Sequence, residues 1–203
     1  MSIRVLFVPF HLQSESANAP GHDYVEKNRA WGERFIGPHS VHSMFYEPGK
    51  VSPVLARLDD AGQVYIRGHS LTGFAGVFDH AGLDEAGQVL HPAKMNQHLL
   101  ALMAQPSVKF SLKAKEVVRR LIASGLRSTF GGKIKCYNCH SAEGDPNFAT
   151  EVSRRLWEKE YRQCAVFGYQ GALQPFHVEV GGKKLTDDGR AAKLRRVEIL
   201  RGP

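Results

Sequence analysis

Residues 131–141 read GGKIKCYNCHS, and two readings of them compete. Cys136, Cys139 and His140 have the C-x-x-C-H spacing that attaches a c-type haem. The same letters also describe a buried strand that two glycines admit, KIKCY continues and a polar, small-residue turn ends. On that second reading Cys139 is a thiol carried at a strand end. One reading makes an electron carrier, the other an α/β domain with a reactive cysteine.

Working outward, the flanking segments favour the strand. QVYIRGHS (63–70) is β-branched and aromatic and breaks at Gly68, so it predicts a strand that ends at His69. IRVLFVPF (3–10) is a continuous apolar run closed by Pro9, the pattern of a strand buried on both faces. VHSMFYE (41–47) predicts a second strand, and CAVFGYQGAL (164–173) another, with breaks at Gly168 and Gly171. Between them lie helical patterns. VSPVLARLDDAG offers Ser52 as N-cap and Pro53 at the first helical position, with Gly62 as the stop. Residues 91–105 place Met95, Leu99, Leu102 and Met103 on one face. Residues 111–125 do the same with Leu112, Val117, Leu121 and Ile122, closing on Gly125. Residues 147–163 predict one more helix. Residues 11–40 read as a long loop with a helical turn or two at 23–34, and 71–87 as a glycine-rich loop. FHVEVGGKKL and RRVEILR predict a C-terminal hairpin. Strands alternating with helices imply an α/β fold whose sheet is at least partly parallel, with helices on both faces. No linker divides the chain, so residues 1–203 are expected to form a single domain.

Composition narrows the class. The 203 residues are 42% hydrophobic and 23% charged, which fits an ordinary globular protein. No stretch approaches the roughly 20 apolar residues of a membrane helix. MSIRVLFVPFHLQSES reads as a first strand and not as an export signal, which weighs against haem, since covalent haem attachment normally follows export. Three cysteines make no disulfide framework and fit a reducing compartment. Expected locations are therefore the cytoplasm, or a target cell reached as an effector or toxin without a classical signal peptide. The net charge of +7 is partly C-terminal. The basic stretch 181–202 reads as a solvated surface or, failing that, as a contact for an acidic partner. Nucleic acid is disfavoured, because no zinc-finger spacing and no aromatic–basic interleaving is present.

In an open α/β sheet, chemistry collects beyond the carboxyl ends of the strands. His69 and Cys139 both stand there, His first in the chain. An imidazole that takes the thiol's proton yields the thiolate nucleophile. VYIRGHS followed by KIKCYNCHSA resembles the caspase-like (clan CD) cysteine peptidases, in which a His closes one core strand and a Cys, followed by small residues (here Ser141 and Ala142), closes the next. The resemblance spans residues 60–175, and CAVFGYQGAL is similar to the family's next core strand. It implies a three-layer sandwich with a mostly parallel central sheet. It further implies a Cys139–His69 dyad hydrolysing a peptide or amide, without a cofactor or metal. An oxyanion hole would come from the Cys139 amide and the 68–73 loop, where Gly68, Ser70 and Gly73 are the candidates. The family commonly has glycine after the His; here Ser70 takes that place.

The plainer alternatives stand beside this one. Cys136 and Cys164 read as core thiols, and His39 and His42 as loop residues. No C-x-x-C pair or H-E-x-x-H motif supports a metal site. A haem needs a distal ligand; no Met follows Cys139, although His177 does. A non-catalytic module that keeps the fold and binds a partner through its basic surface remains the second hypothesis, and a C-x-x-C-H haem or redox protein the third.

Overall fold

The first apolar run forms β1 (Ser2–Val8), whose last four residues are fully buried, as a strand covered on both faces requires. The computed structural model describes residues 2–10, 39–78, 111–173, 186 and 188–200 of the chain. In chain order β1 is followed by β2 (His39–Phe45), the short helix α1 (Pro53–Ala56), β3 (Gln63–Arg67) and β4 (Gly76–Phe78). Then come β5 (Ser111–Lys113), α2 (Ala114–Ala123), β6 (Lys133–Tyr137), α3 (Phe148–Glu158), β7 (Ala165–Tyr169), a 3₁₀ turn (Ala192–Arg195) and β8 (Arg196–Ile199).

Six strands make one sheet in the order β2-β1-β3-β6-β7-β8. The first four pairings are parallel, and only β8 runs antiparallel, against β7. The fold is therefore α/β with a mostly parallel central sheet. β4 and β5 form a separate antiparallel pair. Among the described residues no helix is long and apolar enough to cross a membrane.

Alternation along the strands sorts side chains between the two faces. Val5, Phe7, Val64, Ile66, Ile134, Cys136 and Val166 meet the buried stripes of the helices: Leu55 of α1, Val117 and Leu121 of α2, Phe148, Val152 and Leu156 of α3. Each large side chain buried there contributes roughly 1.5–3 kcal/mol. Leu6, Tyr65, Tyr137, Tyr169, Leu173 and Ala192 form a second cluster. The α-helices described here all bury against the first cluster. The helical expectations at 91–105 and 23–34 lie outside the described residues, as does the first arm of the C-terminal hairpin.

Several local expectations are corrected. Capping by Ser52 holds, with its Oγ accepting from the Leu55 amide at 3.4 Å, but α1 is a single turn that stops well short of Gly62. Residues 111–113 are strand, so α2 begins at Ala114, because Leu112 is buried in the pairing with β4. The glycine-rich loop accordingly contains β4. His39 and His42 are not loop residues; both lie in β2, paired with Ser2 and Val5. Gly168 does not break β7 but sits within it, where a Cβ would meet Ala142 and Ala149 Cβ at 2.7 Å. β8, the second arm of the expected C-terminal hairpin, is a strand as expected and pairs antiparallel with β7; its pairing with the first arm lies outside the described residues.

Candidate functional site

β3 and β6 are parallel neighbours whose pairing ends at Arg67 opposite Tyr137. His69 lies two residues beyond Arg67, and Cys139 two residues beyond Tyr137. Adjacent strands run about 4.8 Å apart, so the two leave the sheet at matched positions on its carboxyl rim, where α/β sheets place their sites. Both are half-buried. An antiparallel bridge to Phe78 fixes the His69 backbone, with N–H to O bonds of 2.9 and 2.8 Å. Gly68 permits that approach: a Cβ there would stand 2.9 Å from Val77 Cβ. On the neighbouring strand, Asn138 Nδ2 donates to the Gly68 carbonyl at 2.8 Å, pinning the two strand ends together.

Cys139 packs against the tyrosine cluster and receives the Leu173 amide on its sulfur at 3.3 Å. A backbone N–H aimed at sulfur favours the thiolate over the thiol. The Leu173 carbonyl lies 3.7 Å from the same sulfur, within reach of the S–H in the neutral form.

Cys136 is placed differently. It is fully buried in the helix-covered cluster, and burial pushes its thiol well above the ordinary cysteine range. Cys164 belongs to the same cluster, its Sγ 3.7 Å from the Tyr161 carbonyl. The two thiols of the C-x-x-C-H motif thus occupy opposite faces of the sheet, and a haem bonded to both would need β6 to come apart.

The small residues after Cys139 hold the turn against β7. Ser141 is buried, donates to the Cys136 carbonyl at 2.7 Å and accepts from the Tyr169 amide at 2.9 Å. The Ala142 amide donates to the Tyr169 carbonyl at 3.0 Å. His140 takes a left-handed backbone conformation, φ 54°, and its Nδ1 lies 2.5 Å from Glu143 Oε2.

Of the three residues expected in an oxyanion loop, Gly68 serves the strand contact just described. Gly73 commits its amide to the Glu143 carbonyl at 3.0 Å, which removes it from that role. Ser70 is buried, and its hydroxyl donates to the Gly76 carbonyl at 3.0 Å, leaving its amide as the loop's candidate donor.

Glu143 is the residue that the spacing argument missed. Its Oε1 accepts from the Gly171 amide at 2.7 Å, and its Oε2 from Thr72 Oγ1 at 3.3 Å. Partial burial opposes ionisation of this carboxyl, but the bonds from His140, Gly171 and Thr72 outweigh it and hold the pKa below the usual carboxylate range. The available signal was the H-x-x-E-G sequence of a tight turn, which by itself does not say what the carboxylate reaches.

Behind the rim, on the face of the tyrosine cluster, Lys135 Nζ donates to Gln63 Oε1 at 2.6 Å and Tyr65 Oη at 2.9 Å. Burial, with Arg196, Arg4 and Lys133 nearby, lowers its pKa to about 7. Burial raises that of Tyr65 to about 12. In the basic C-terminal stretch, Arg190 and Arg195 lean on Asp188 at 3.4 and 3.5 Å, and Arg196 stacks over Phe167. Part of the cationic surplus is therefore engaged within the chain. Among the described residues, no three His, Cys, Asp or Glu side chains gather closely enough to hold a metal ion.

No protein-family model, no curated protein and no solved structure matches the chain. The chain is an α/β fold with a thiol and an imidazole just beyond the ends of adjoining strands.

Proposed function

We propose that the protein is a caspase-like thiol hydrolase acting on a peptide or amide bond, with Cys139 as nucleophile and His69 as base. The observation that carries this reading is the β3–β6 register, which brings His69 and Cys139 to equivalent positions beyond Arg67 and Tyr137. The Leu173 amide on the Cys139 sulfur adds to it. The strand order, with a single antiparallel edge strand, accords with the mostly parallel central sheet that the sequence resemblance implies.

In the reaction, His69 takes the Cys139 proton and the thiolate attacks the substrate carbonyl carbon, forming an S–C bond and an oxyanion. The Ser70 amide is the loop donor proposed for that oxyanion. His69 then returns the proton to the departing amine as the C–N bond breaks. Water, deprotonated by the same imidazole, hydrolyses the thioester and frees the sulfur.

The test is alkylation by iodoacetamide at mildly acidic pH, followed by mass spectrometry. Cys139 should be labelled first, Cys136 and Cys164 spared, and the Cys139 rate should fall in His69→Ala. Equal, slow labelling of Cys139 with and without His69 would remove the dyad and leave the non-catalytic binding module, with its basic surface against an acidic partner.

A further inference from the structure

We infer that Glu143 is a positioning residue for Cys139: its carboxylate clamps the loops after β3 and β7 onto the nucleophile's own turn and so holds the Leu173 amide on the Cys139 sulfur. This deepens the hydrolase reading and takes from it Cys139 as the reactive thiol.

Three strand-end loops converge on this one side chain. From the loop after β3, Thr72 Oγ1 donates to Oε2 at 3.3 Å, and the Gly73 amide donates to the Glu143 carbonyl at 3.0 Å. From the loop after β7, the Gly171 amide donates to Oε1 at 2.7 Å. Within its own turn, Glu143 meets His140 Nδ1 at 2.5 Å, and its amide donates to the His140 carbonyl at 3.0 Å. The next residue permits the close seating. Gly144 has φ 79°, and a Cβ there would lie 2.5 Å from the Gly73 nitrogen, so the turn can lie against the β3 loop only with glycine at this position.

The consequence for sulfur runs through the β7 loop. Gly171 is held from both sides: its amide by Glu143 and its carbonyl by the His140 amide at 2.9 Å. Leu173, two residues on, presents the N–H that meets Cys139 Sγ at 3.3 Å. Without Glu143, Gly171 keeps its bond from the His140 amide and Leu173 its bridge to Thr186, so the segment between them loosens and the Leu173 N–H shifts off the sulfur, weakening that donor to the thiolate. Glu143 touches no reacting atom in this scheme. It acts through the backbone of its neighbour loop.

Charge and clamp predict opposite signs, which makes the inference testable. A carboxylate acting only as a nearby negative charge opposes a thiolate, so removing it would speed alkylation at mildly acidic pH. A clamp predicts the reverse. The ionisable groups to hold fixed are His140 in the turn of Cys139, Tyr65, Tyr137 and Tyr169 of the cluster it packs against, and Arg67 and His69 at the end of the neighbouring strand β3. A comparison confined to residue 143 holds the others fixed.

The experiment measures iodoacetamide labelling of Cys139 in the full chain, at mildly acidic pH and again at alkaline pH where every accessible thiol is ionised. Glu143→Ala should slow labelling roughly tenfold at the acidic pH, the worth of one hydrogen bond to a charged group, and leave the alkaline rate near wild type. Glu143→Gln keeps an oxygen for the Gly171 amide and should restore most of the rate. A Glu143→Ala rate equal to or above wild type overturns the clamp, as does a Glu143→Gln rate as low as that of alanine, which would shift the effect to the His140 pair. Should Glu143→Ala fold poorly, Glu143→Gln and Thr72→Val decide: near-wild-type labelling in the first with about a twofold loss in the second supports the clamp, and the reverse order sinks it. Repeating the series in His69→Ala separates the two proposals. A residue-143 effect that persists there sustains the clamp even if loss of His69 itself changes nothing, the result that would remove the dyad.

Discussion

Cys136 and Cys139 lie three residues apart on one segment and in opposite environments. Cys136 lies in the helix-covered cluster, fully buried among aliphatic and aromatic side chains, and burial holds it as a thiol. Cys139 has passed the last strand pair, is half-exposed and carries a backbone N–H on its sulfur. The difference is one of position along the strand and of face. A side chain inside the sheet is committed to packing, whereas one just past its end is released from the ladder and can be set by loops. The two faces behind these thiols differ in the same way. The helix-covered face is almost wholly apolar, and the other places Lys135, Gln63 and three tyrosines on the same strands.

The comparison breaks most visibly in activity. Cys139→Ala and His69→Ala should each lower turnover on a broad fluorogenic peptide library by about 10⁴-fold or more, and the double variant should be no worse than either, because the two act as a unit. Melting temperatures should stay close to wild type. Retained turnover in Cys139→Ala would mean that the rim thiol is not the nucleophile.

The helix-covered face should respond in stability. Phe148 opens α3, is fully buried and packs in the main cluster. Phe148→Ala should cost about 3–5 kcal/mol in denaturant unfolding, through lost transfer energy and the cavity left behind. A cost below about 1 kcal/mol would say that this face is not the core.

The opposite face should respond to pH. The Lys135 ammonium ordinarily titrates at 10.5 and here at about 7, chiefly through burial. Between those values the unfolded chain still holds a proton that the folded chain has shed, so this group makes stability rise with pH above about 7. Each pH unit at full slope corresponds to about 1.4 kcal/mol. Wild type should gain about 1–2 kcal/mol between about pH 7 and about pH 9, short of the range where Tyr65 ionises. Lys135→Met should flatten that gain. An equal slope in both proteins would place the titration elsewhere.

How much of this was legible in the letters follows from the same contrast. The strands of the parallel core declare themselves through IRVLF, QVYIR, KIKCY and AVFGY, because burial on both faces leaves little room for polar residues. Lys135, Gln63 and Tyr65 show the limit of that rule, since they are buried by bonding to one another across β3 and β6, a partnership that no single segment displays. His69 and Cys139 could be found because strand ends are marked by breaks, Gly68 for one and the polar Asn138 turn for the other. β4 and β5 escaped because three-residue strands carry too few alternations, and Ser111–Lys113 continues smoothly into helical spacing. Gly168 misled for a different reason: glycine in a strand reads as a break, but here it is required by Ala142 and Ala149 packing on it. Glu143 was hidden because its partners, Thr72 and Gly171, are brought close only by the sheet order.

The smallest expected effect tests the comparison most directly, because it concerns the same residue type a few positions away. Cys136→Ala removes one sulfur from a site with no exposed surface, flanked by Ile66 across the β3 pairing. The neighbours are held by their own strands and by α3, so they close only part of the gap, and the loss should be roughly 1 kcal/mol, the scale of a small deletion in a packed core. The side chain lies on the face away from the rim, and the carbonyl of residue 136, which accepts from Ser141 Oγ, is unchanged by the substitution. Turnover at a permissive temperature should therefore match wild type, while the midpoint of thermal unfolding drops by a few degrees. Cys136→Ser should be worse in stability than alanine, since it places a hydroxyl among apolar neighbours. Should Cys136→Ala abolish turnover with the melting temperature intact, the two thiols have been assigned the wrong way round, and the nucleophile lies under the helices.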